Sequence, residues 1–358
     1  MIRVLVVNDS LVITNLITQI LESTLAIRVI GTAMNGEEAI TQVEHHKPDV
    51  VLMDYHMPKM NGLIATRKLM ETHPLPIIIM SATIAREELS IPFQVLDAGA
   101  VALVDVPLGI QHPNYVKAAS DLVKTVKSMS EVKVVRRWVR DEKKTSISPH
   151  LPNLNKLLKG PVKLVAIGAS TGGPVVIKSI LAGLPKPFPL PIVIVQHIAS
   201  GFTQGLVDWL SQTTGLPVHV ANSGEELHPG HVYIAPDGSH MMLDNEHRLI
   251  LRKAAVKNGH CPSVGALFCS VAETLGNNAV GILLTGMGKD GSEELGLMKQ
   301  KGALTIVQDK ESSVVYGMPG EAVRLDAAVM IQTPAEIIAT LSTLAEGLVK
   351  GNGRIVDG

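Results

Sequence analysis

Cysteine is nearly absent from the 358-residue sequence, which contains only Cys261 and Cys269. Two thiols are too few for a disulfide framework, so we expect the protein to work in a reducing cytoplasm. Long apolar runs are also missing, because stretches such as 192–195 and 279–284 stop at strand length, short of the roughly 18 residues of a spanning helix. The amino terminus lacks a small-residue cleavage site and is typical of a first strand, not of a signal peptide. We therefore expect no membrane insertion.

Aromatic and charged residues are sparse as well. Four Phe, two Trp and four Tyr offer little for stacking on bases. The 32 basic and 33 acidic residues give a net charge of −1, whereas nucleic-acid binding needs a basic surface that neutralises phosphates. We therefore expect no nucleic-acid partner. At roughly 150 residues per domain, the length suggests two domains.

Residues 1–125 alternate short β-branched runs with segments of helical length. Parallel strands need crossover connections, so this alternation predicts a doubly wound, five-stranded parallel sheet. Ligands of such sheets bind beyond the carboxyl ends of the strands. The predicted strands are 2–7, 28–33, 50–53, 75–80 and 101–104.

Residues 126–160 are predicted to link two domains. Between residues 124 and 144 the chain carries eight basic residues against three acidic ones, and the stretch 145–152 has no periodicity. The charge run is either a basic docking segment for an acidic partner or, as we favour, the solvated end of a helix that continues into a tether.

Residues 161–350 show a second α/β pattern. Several predicted strands end at polar or glycine-rich turns, and the run 241–243 is expected to pair with 249–251 as a hairpin. The other predicted strands are 162–167, 190–195, 218–221, 232–235 and 280–284.

The segment 168–172 has the G-x-S-x-G spacing at a strand-to-helix turn, where small neighbours leave the hydroxyl of Ser170 exposed. Ser170 is therefore a candidate nucleophile, and the N–H groups of the helix that follows could stabilise an oxyanion. The same glycine-rich turn is equally typical of a phosphate cradle, because those N–H groups attract anions. The motif alone leaves both alternatives open.

Two further residues follow predicted strand ends and complete a possible Ser-His-Asp set. His197 lies just past the strand 190–195, and Asp290 lies in the loop after 280–284. A serine needs a base, and the base needs an orienting acid, so one crevice could hold all three residues. A histidine at a strand end or an Asp-Gly in a loop is also commonly structural. The pair His228 and His231 lies in a turn context, and we do not expect zinc there.

Five motifs combined with a receiver-like first domain resemble the CheB family of chemotaxis response-regulator methylesterases. The motifs span 166–174, 195–198, 233–240, 284–291 and 316–320. The resemblance implies a flavodoxin-like receiver followed by a Rossmann-like α/β methylesterase domain. It also implies that Ser170 is the nucleophile, His197 its base and Asp290 the orienting acid, and that Thr171 and Met287 line the site. No cofactor is implied for the esterase.

The resemblance further implies the substrates and partners. The substrates are glutamyl methyl esters on the cytoplasmic helices of chemoreceptors, together with some receptor glutamines that are deamidated. The histidine kinase of the chemotaxis system is the implied phosphodonor. One segment departs from the family pattern, because Cys261 stands where arginine is usual and Gly265 where aspartate is usual. These departures concern substrate contacts and leave the Ser-His-Asp set intact.

In the first domain, the stretch 51–62 resembles the phosphoacceptor strand and loop of receivers, with Asp54 as the position to be phosphorylated. Receivers supply two acids for Mg²⁺, and here the pair is Asn8 and Asp9, which leaves Asp9 and Asp54 for a weakened site. Ser81 occupies the position of the switch hydroxyl. The usual lysine is replaced by Val106, next to Asp105, which we expect to uncouple phosphorylation from the conformational change.

Two hypotheses of different kinds therefore remain. In the first, the protein is a methylesterase and glutaminase whose receiver covers the Ser170 crevice and is released by a change at Asp54. In the second, a degenerate receiver and a repurposed second domain form a signalling module without turnover, which Asn8, Val106 and Gly265 favour.

Overall fold

The structure is a computed structural model that describes residues 1–81, 91–107, 109, 111–113, 115–132, 134, 154–158, 160–253 and 260–352. The chain divides into two compact units, Met1–Thr145 and Ser146–Gly358. Most of the predicted basic segment, including residues 135–144, and the stretch 145–153 lie outside the described residues.

The first unit is built around a five-stranded sheet. Every neighbouring pair is parallel, and the order is β2-β1-β3-β4-β5. This is the flavodoxin-like order, so the predicted fold class is confirmed. The strands are β1 (Ile2–Val7), β2 (Ile27–Ala33), β3 (Val50–Asp54), β4 (Ile77–Ser81) and β5 (Ala102–Asp105). The helices are α1 (Leu11–Glu22), α2 (Gly36–His46), α3 (Gly62–Thr72), α4 (Ile91–Ala98) and α5 (Tyr115–Ser130).

The central strands of this sheet are apolar because helices pack against a parallel sheet and remove its strands from water. The run Val50–Met53 of β3 is fully buried, and Asp54 is the first partly accessible residue at its end. Helices begin where a side chain accepts hydrogen bonds from unpaired N–H groups, as Ser10 does for α1 and Asn35 for α2.

The second unit has a seven-stranded sheet and a separate hairpin. Its strands are β6 (Leu164–Ala169), β7 (Ile192–Gln196), β8 (Val218–Val220), β9 (Val232–Ile234), β10 (Ser239–Leu243), β11 (Leu249–Lys253), β12 (Ala279–Leu283), β13 (Leu304–Gln308) and β14 (Met330–Gln332). Its helices are α6 (Leu154–Leu157), α7 (Gly173–Gly183), α8 (Thr203–Thr214), α9 (Val264–Thr274), α10 (Ser292–Gln300), α11 (Met318–Arg324) and α12 (Pro334–Asn352).

The large sheet is parallel throughout and has the order β14-β13-β12-β6-β7-β9-β8. The chain starts in the middle with β6, moves outward through β7, and returns to the other side of β6 with β12. A reversal of this kind is a topological switch point, where two strands diverge and leave a crevice beyond their carboxyl ends. The fold therefore places a crevice beside the end of β6, as the sequence predicted.

The predicted strands lie within two residues of the observed ones. Two observed strands begin after Pro76 and Pro191, because a proline nitrogen has no hydrogen to donate to the sheet. The predicted hairpin is confirmed, since Met241 pairs with Leu251 and Leu243 with Leu249. The strands β13 and β14 were not predicted.

No helix in the described part of the chain is both long and apolar enough to cross a membrane.

Candidate active site

Three predicted site residues follow neighbouring strands of the large sheet. Ser170 follows β6, His197 follows β7 on one side, and Asp290 lies in the loop that follows β12 on the other. The sheet pairing continues past the strands, because the His197 N–H donates to the Ala169 carbonyl at 2.9 Å and the Ser170 N–H to the Thr285 carbonyl at 3.0 Å. The structure therefore brings the three residues to one end of the sheet.

The turn after Ser170 depends on two glycines for different reasons. Gly172 has φ +79°, and a Cβ there would also lie 2.6 Å from the side chain of Val314. A Cβ on Gly173 would lie 2.2 Å from Oε1 of Gln196. Only glycine allows this close approach, which sets the start of α7 directly behind Ser170. No side chain caps α7; its first N–H, that of Gly173, donates to the Ser170 carbonyl at 2.9 Å, and Pro174 follows.

His197 and Asp290 form a hydrogen-bonded pair. Nε2 of His197 lies 2.8 Å from Oδ2 of Asp290, and the histidine side chain is only 9% exposed. Because a carboxylate accepts, Nε2 carries the proton and Nδ1 is the nitrogen with a free lone pair. Nδ1 is buried and has no hydrogen-bond partner among the described residues. The pair therefore presents an acceptor nitrogen for a proton.

Asp290 is held by the beginning of α9. Ser263, the N-cap of this helix, donates its hydroxyl to Oδ1 at 2.8 Å, and the N–H groups of Val264 and Gly265 donate to the two carboxylate oxygens. Burial alone would raise the pKa of Asp290, but the interactions with His197, Gly265 and Ser263 lower it to about 2. The carboxylate is therefore ionised and oriented toward the imidazole at any ordinary pH.

The two residues expected to line the site are placed on the loops beside Ser170. The carbonyl of Thr171 accepts a hydrogen bond from the hydroxyl of Thr285 at 3.0 Å. Met287 is half-buried in the loop between β12 and Asp290. The N–H of Thr285 donates to the buried side chain of Gln308, which ties the end of β12 to that of β13.

The motif 233–240 contributes a support for the loop that follows His197. Asp237 accepts hydrogen bonds from the N–H of Gly201 at 2.6 Å and from the hydroxyl of Thr203 at the start of α8. The motif 316–320 packs against the loop that carries Asp290, since the N–H of Met318 donates to the Gly286 carbonyl at 2.9 Å. Both motifs therefore order loops around the crevice.

Three supporting residues were not singled out from the sequence. Gln196 donates from Nε2 to the carbonyls of Ser170 and His197 and so joins the ends of β6 and β7. Ser263 holds Asp290, and the ring of His260 stacks on that of His197. Ser263 alone had a usable signal, because a serine before an apolar helical run is typical of an N-cap.

The departures from the family pattern also have positions in the structure. A Cβ on Gly265 would lie 2.8 Å from the carboxyl carbon of Glu294, so this chain has a carboxyl of α10 at that place. Burial, followed by the charge of Asp290, raises the pKa of Glu294. Cys261 is partly exposed and reduced, as is Cys269.

In the first unit, Asp54 ends β3 and is half-buried. Nδ2 of Asn8 donates to its Oδ2 at 2.9 Å, and the N–H of His56 donates to its Oδ1 at 3.3 Å. Burial raises the pKa of Asp54; the N–H groups of His56 and Tyr55 lower it, and the charge of Asp9 raises it. Asn8 thus contacts the predicted phosphoacceptor directly, while the exposed Asp9 lies close enough to raise the pKa of that carboxyl.

The other receiver residues lie at the ends of β4 and β5. Ser81 is the last residue of β4, and its backbone pairs with that of Asp105. Asp105 is exposed, and Val106 follows it half-buried. The position expected to hold a lysine therefore carries an apolar side chain at the end of the sheet.

Within the described ranges, no three His, Cys, Asp or Glu residues are grouped so as to hold a metal ion.

Comparison with known proteins identifies similar chains over nearly the whole length. The family model for CheB methylesterase matches residues 165–341, and that for the response regulator receiver domain matches residues 4–112. The protein-glutamate methylesterase/protein-glutamine glutaminase 4 of Geobacter metallireducens is 48% identical over 96% of this chain and 99% of its own length. The protein-glutamate methylesterase/protein-glutamine glutaminase of Nitrosospira multiformis is 49% identical over 96% of this chain and 97% of its own length.

Among solved structures, the CheB methylesterase catalytic domain of Thermotoga maritima is 39% identical, with a TM-score of 0.49. It covers 51% of this chain and 98% of its own.

Proposed function

We propose, from the premise that this chain belongs to the CheB methylesterase family, that it hydrolyses glutamyl methyl esters on chemoreceptors and deamidates some of their glutamines. The relatives carry both activities in their names, at nearly full coverage of either chain. The single observation that best supports this function is the hydrogen bond between His197 and Asp290 beside Ser170, at the switch point of the large sheet.

In this proposal Ser170 is the nucleophile and His197 is its general base. Asp290 accepts the Nε2 proton of His197, so Nδ1 takes the proton of the Ser170 hydroxyl as its oxygen attacks the side-chain carbonyl. The ionised Asp290 stabilises the imidazolium that forms. His197 then returns the proton to the leaving group, and methanol or ammonia departs. Water hydrolyses the acyl-serine by the same steps in reverse order, which releases glutamate.

The oxyanion is assigned to the neighbourhood of the first turn of α7. This helix begins at Gly173, three residues after Ser170, and no side chain caps it; Thr171 and Met287 lie on the two adjoining loops. N–H groups that are already oriented stabilise a developing negative charge without reorganisation.

These observations favour an enzyme over a phosphate cradle at the same turn. An anion-binding turn has no need of a buried histidine whose tautomer is fixed by an ionised carboxylate. The second hypothesis is a signalling module without turnover. No observation in the second unit favours it over an enzyme, because the hydrogen bond between His197 and Asp290 is intact.

For the receiver, we propose phosphorylation of Asp54 by a histidine kinase, with control of the esterase as the consequence. The residues present fit Mg²⁺, because this ion binds through one or two carboxylates and keeps its remaining waters. Asp9 and Asp54 would hold it, and when bound it would neutralise charge on the transferred phosphoryl group. Asn8 donates an N–H to Asp54. A carboxylate at the position of Asn8 would be a third acidic ligand and would strengthen the Mg²⁺ site. Val106 offers no charge to a phosphoryl group, so we expect weak coupling.

The test of the catalytic assignment is labelling by a fluorophosphonate, which reacts with activated serines. We expect Ser170 to be labelled in the intact chain, and labelling to be lost in His197→Ala because the base is gone. Ser200→Ala, in the exposed loop near the site, is the matched control and should keep the label. Labelling that persists in His197→Ala would contradict the assignment.

A further inference from the structure

We propose that His260 is a positioning residue for His197, which fixes the plane of the imidazole and so the direction in which Nδ1 accepts a proton. The inference rests on the proposed function, since it assigns a role relative to the general base. His260 is not a member of the Ser-His-Asp set.

The two imidazole rings are stacked. Their centroids lie 4.3 Å apart, and the ring planes differ by 14°. His260 is exposed, whereas the side chain of His197 is almost fully buried, so His260 covers the side of His197 that would otherwise face water.

The stack supplies a restraint that the other contacts of His197 do not. The backbone N–H of His197 donates to Ala169, and Nε2 donates to Asp290. A ring held at one nitrogen can still swing about that hydrogen bond. A second ring lying flat against its face limits this motion, which keeps Nδ1 in one direction.

The same short segment also orients the acid. His260 lies three residues before Ser263, whose hydroxyl donates to Asp290, and α9 begins directly afterwards. The segment 260–263 therefore contacts both the base, His197, and the acid, Asp290. A displacement of this segment would disturb both partners of their hydrogen bond.

The experiment compares His260→Phe and His260→Ala with the full-length protein by the pH dependence of kcat/KM for methyl ester hydrolysis. Phe keeps a flat ring against His197 but cannot carry a charge. We therefore expect kcat/KM to stay within about threefold of the original across the pH range. Ala removes the ring as well, so we expect kcat/KM to fall about tenfold.

The rate of fluorophosphonate labelling at Ser170, measured over the same pH range, gives a second readout that needs no receptor substrate. His45→Phe, on the exposed end of α2 in the first unit, is the matched control and should leave both profiles unchanged. Original profiles in both His260 variants, with Ser170-dependent activity intact, would overturn the positioning role alone. Activity that survives Ser170→Ala would instead overturn the proposed function on which the inference rests.

Discussion

At the scale of single residues, only a few groups fix the charge and direction of the Asp290 carboxylate. Ser263 has two tasks, since its hydroxyl donates to Asp290 and accepts from the N–H of Ala266. We expect Ser263→Ala to lower kcat/KM about tenfold and the free energy of unfolding by about 1 kcal/mol. Ser10→Ala, at the N-cap of α1, should cause a similar loss of stability without a loss of activity. Equal activity in the two variants would contradict the role of Ser263.

The lowered pKa of Asp290 makes a second residue-scale prediction, on stability against pH. A carboxyl whose pKa falls from about 4 when unfolded to about 2 when folded stabilises the protein above pH 4, and loses this effect as pH falls toward 2. We expect Asp290→Asn to be less stable than the original by about 2 kcal/mol at pH 7, with a smaller difference at pH 3.

Urea unfolding followed by the fluorescence of Trp209, in a Trp138→Phe background, reports this difference for the second unit. A difference that is the same at pH 7 and pH 3 would show that the ionised carboxylate is not the stabilising form.

At the scale of elements, the site is a product of where strands end and helices begin. The turn from β6 to α7 needs Gly172 both for its positive φ and for the space taken by Val314. Gly224 has φ +83° but open space where a Cβ would lie. An alanine there therefore measures the cost of the positive φ without any steric clash. We expect Gly224→Ala to cost about 1 kcal/mol and Gly172→Ala at least about 2 kcal/mol, together with most of the activity. Equal losses of stability in urea unfolding would contradict the steric part.

The sequence predicted those elements whose patterns are local. Strands such as β3 and β12 are uninterrupted apolar runs that end in a polar or glycine-rich turn. The sequence therefore predicts both the strands and the functional residues that follow them. Strand β14 has only three residues, and Ile331 in its centre is exposed, so it carries no such pattern. His260 and Gln196 could not be assigned, because their contacts join segments that only the folded sheet brings together.

At the scale of the whole molecule, the proposed control of the esterase by the receiver can be tested by separating the two units. We expect deletion of residues 1–145 to raise the rate of ester hydrolysis severalfold, since the second unit carries the complete Ser-His-Asp set and the receiver is proposed to restrict access to it. The rate of methanol release by the folded fragment, compared with the intact chain at equal concentration, measures this. An unchanged or lower rate in a fragment that keeps its fluorophosphonate reactivity would contradict autoinhibition.

The most direct test of the central claim is methanol release from a methylated chemoreceptor cytoplasmic fragment, measured for the intact chain and for Ser170→Ala. We expect turnover by the intact chain and a loss of about a thousandfold or more in the variant, because the covalent route depends on that hydroxyl. An acyl-phosphate donor with Mg²⁺ should accelerate the intact chain weakly, in keeping with Val106. Turnover that survives in Ser170→Ala, or its absence from the intact chain under every condition, would contradict the claim that this crevice is a serine esterase.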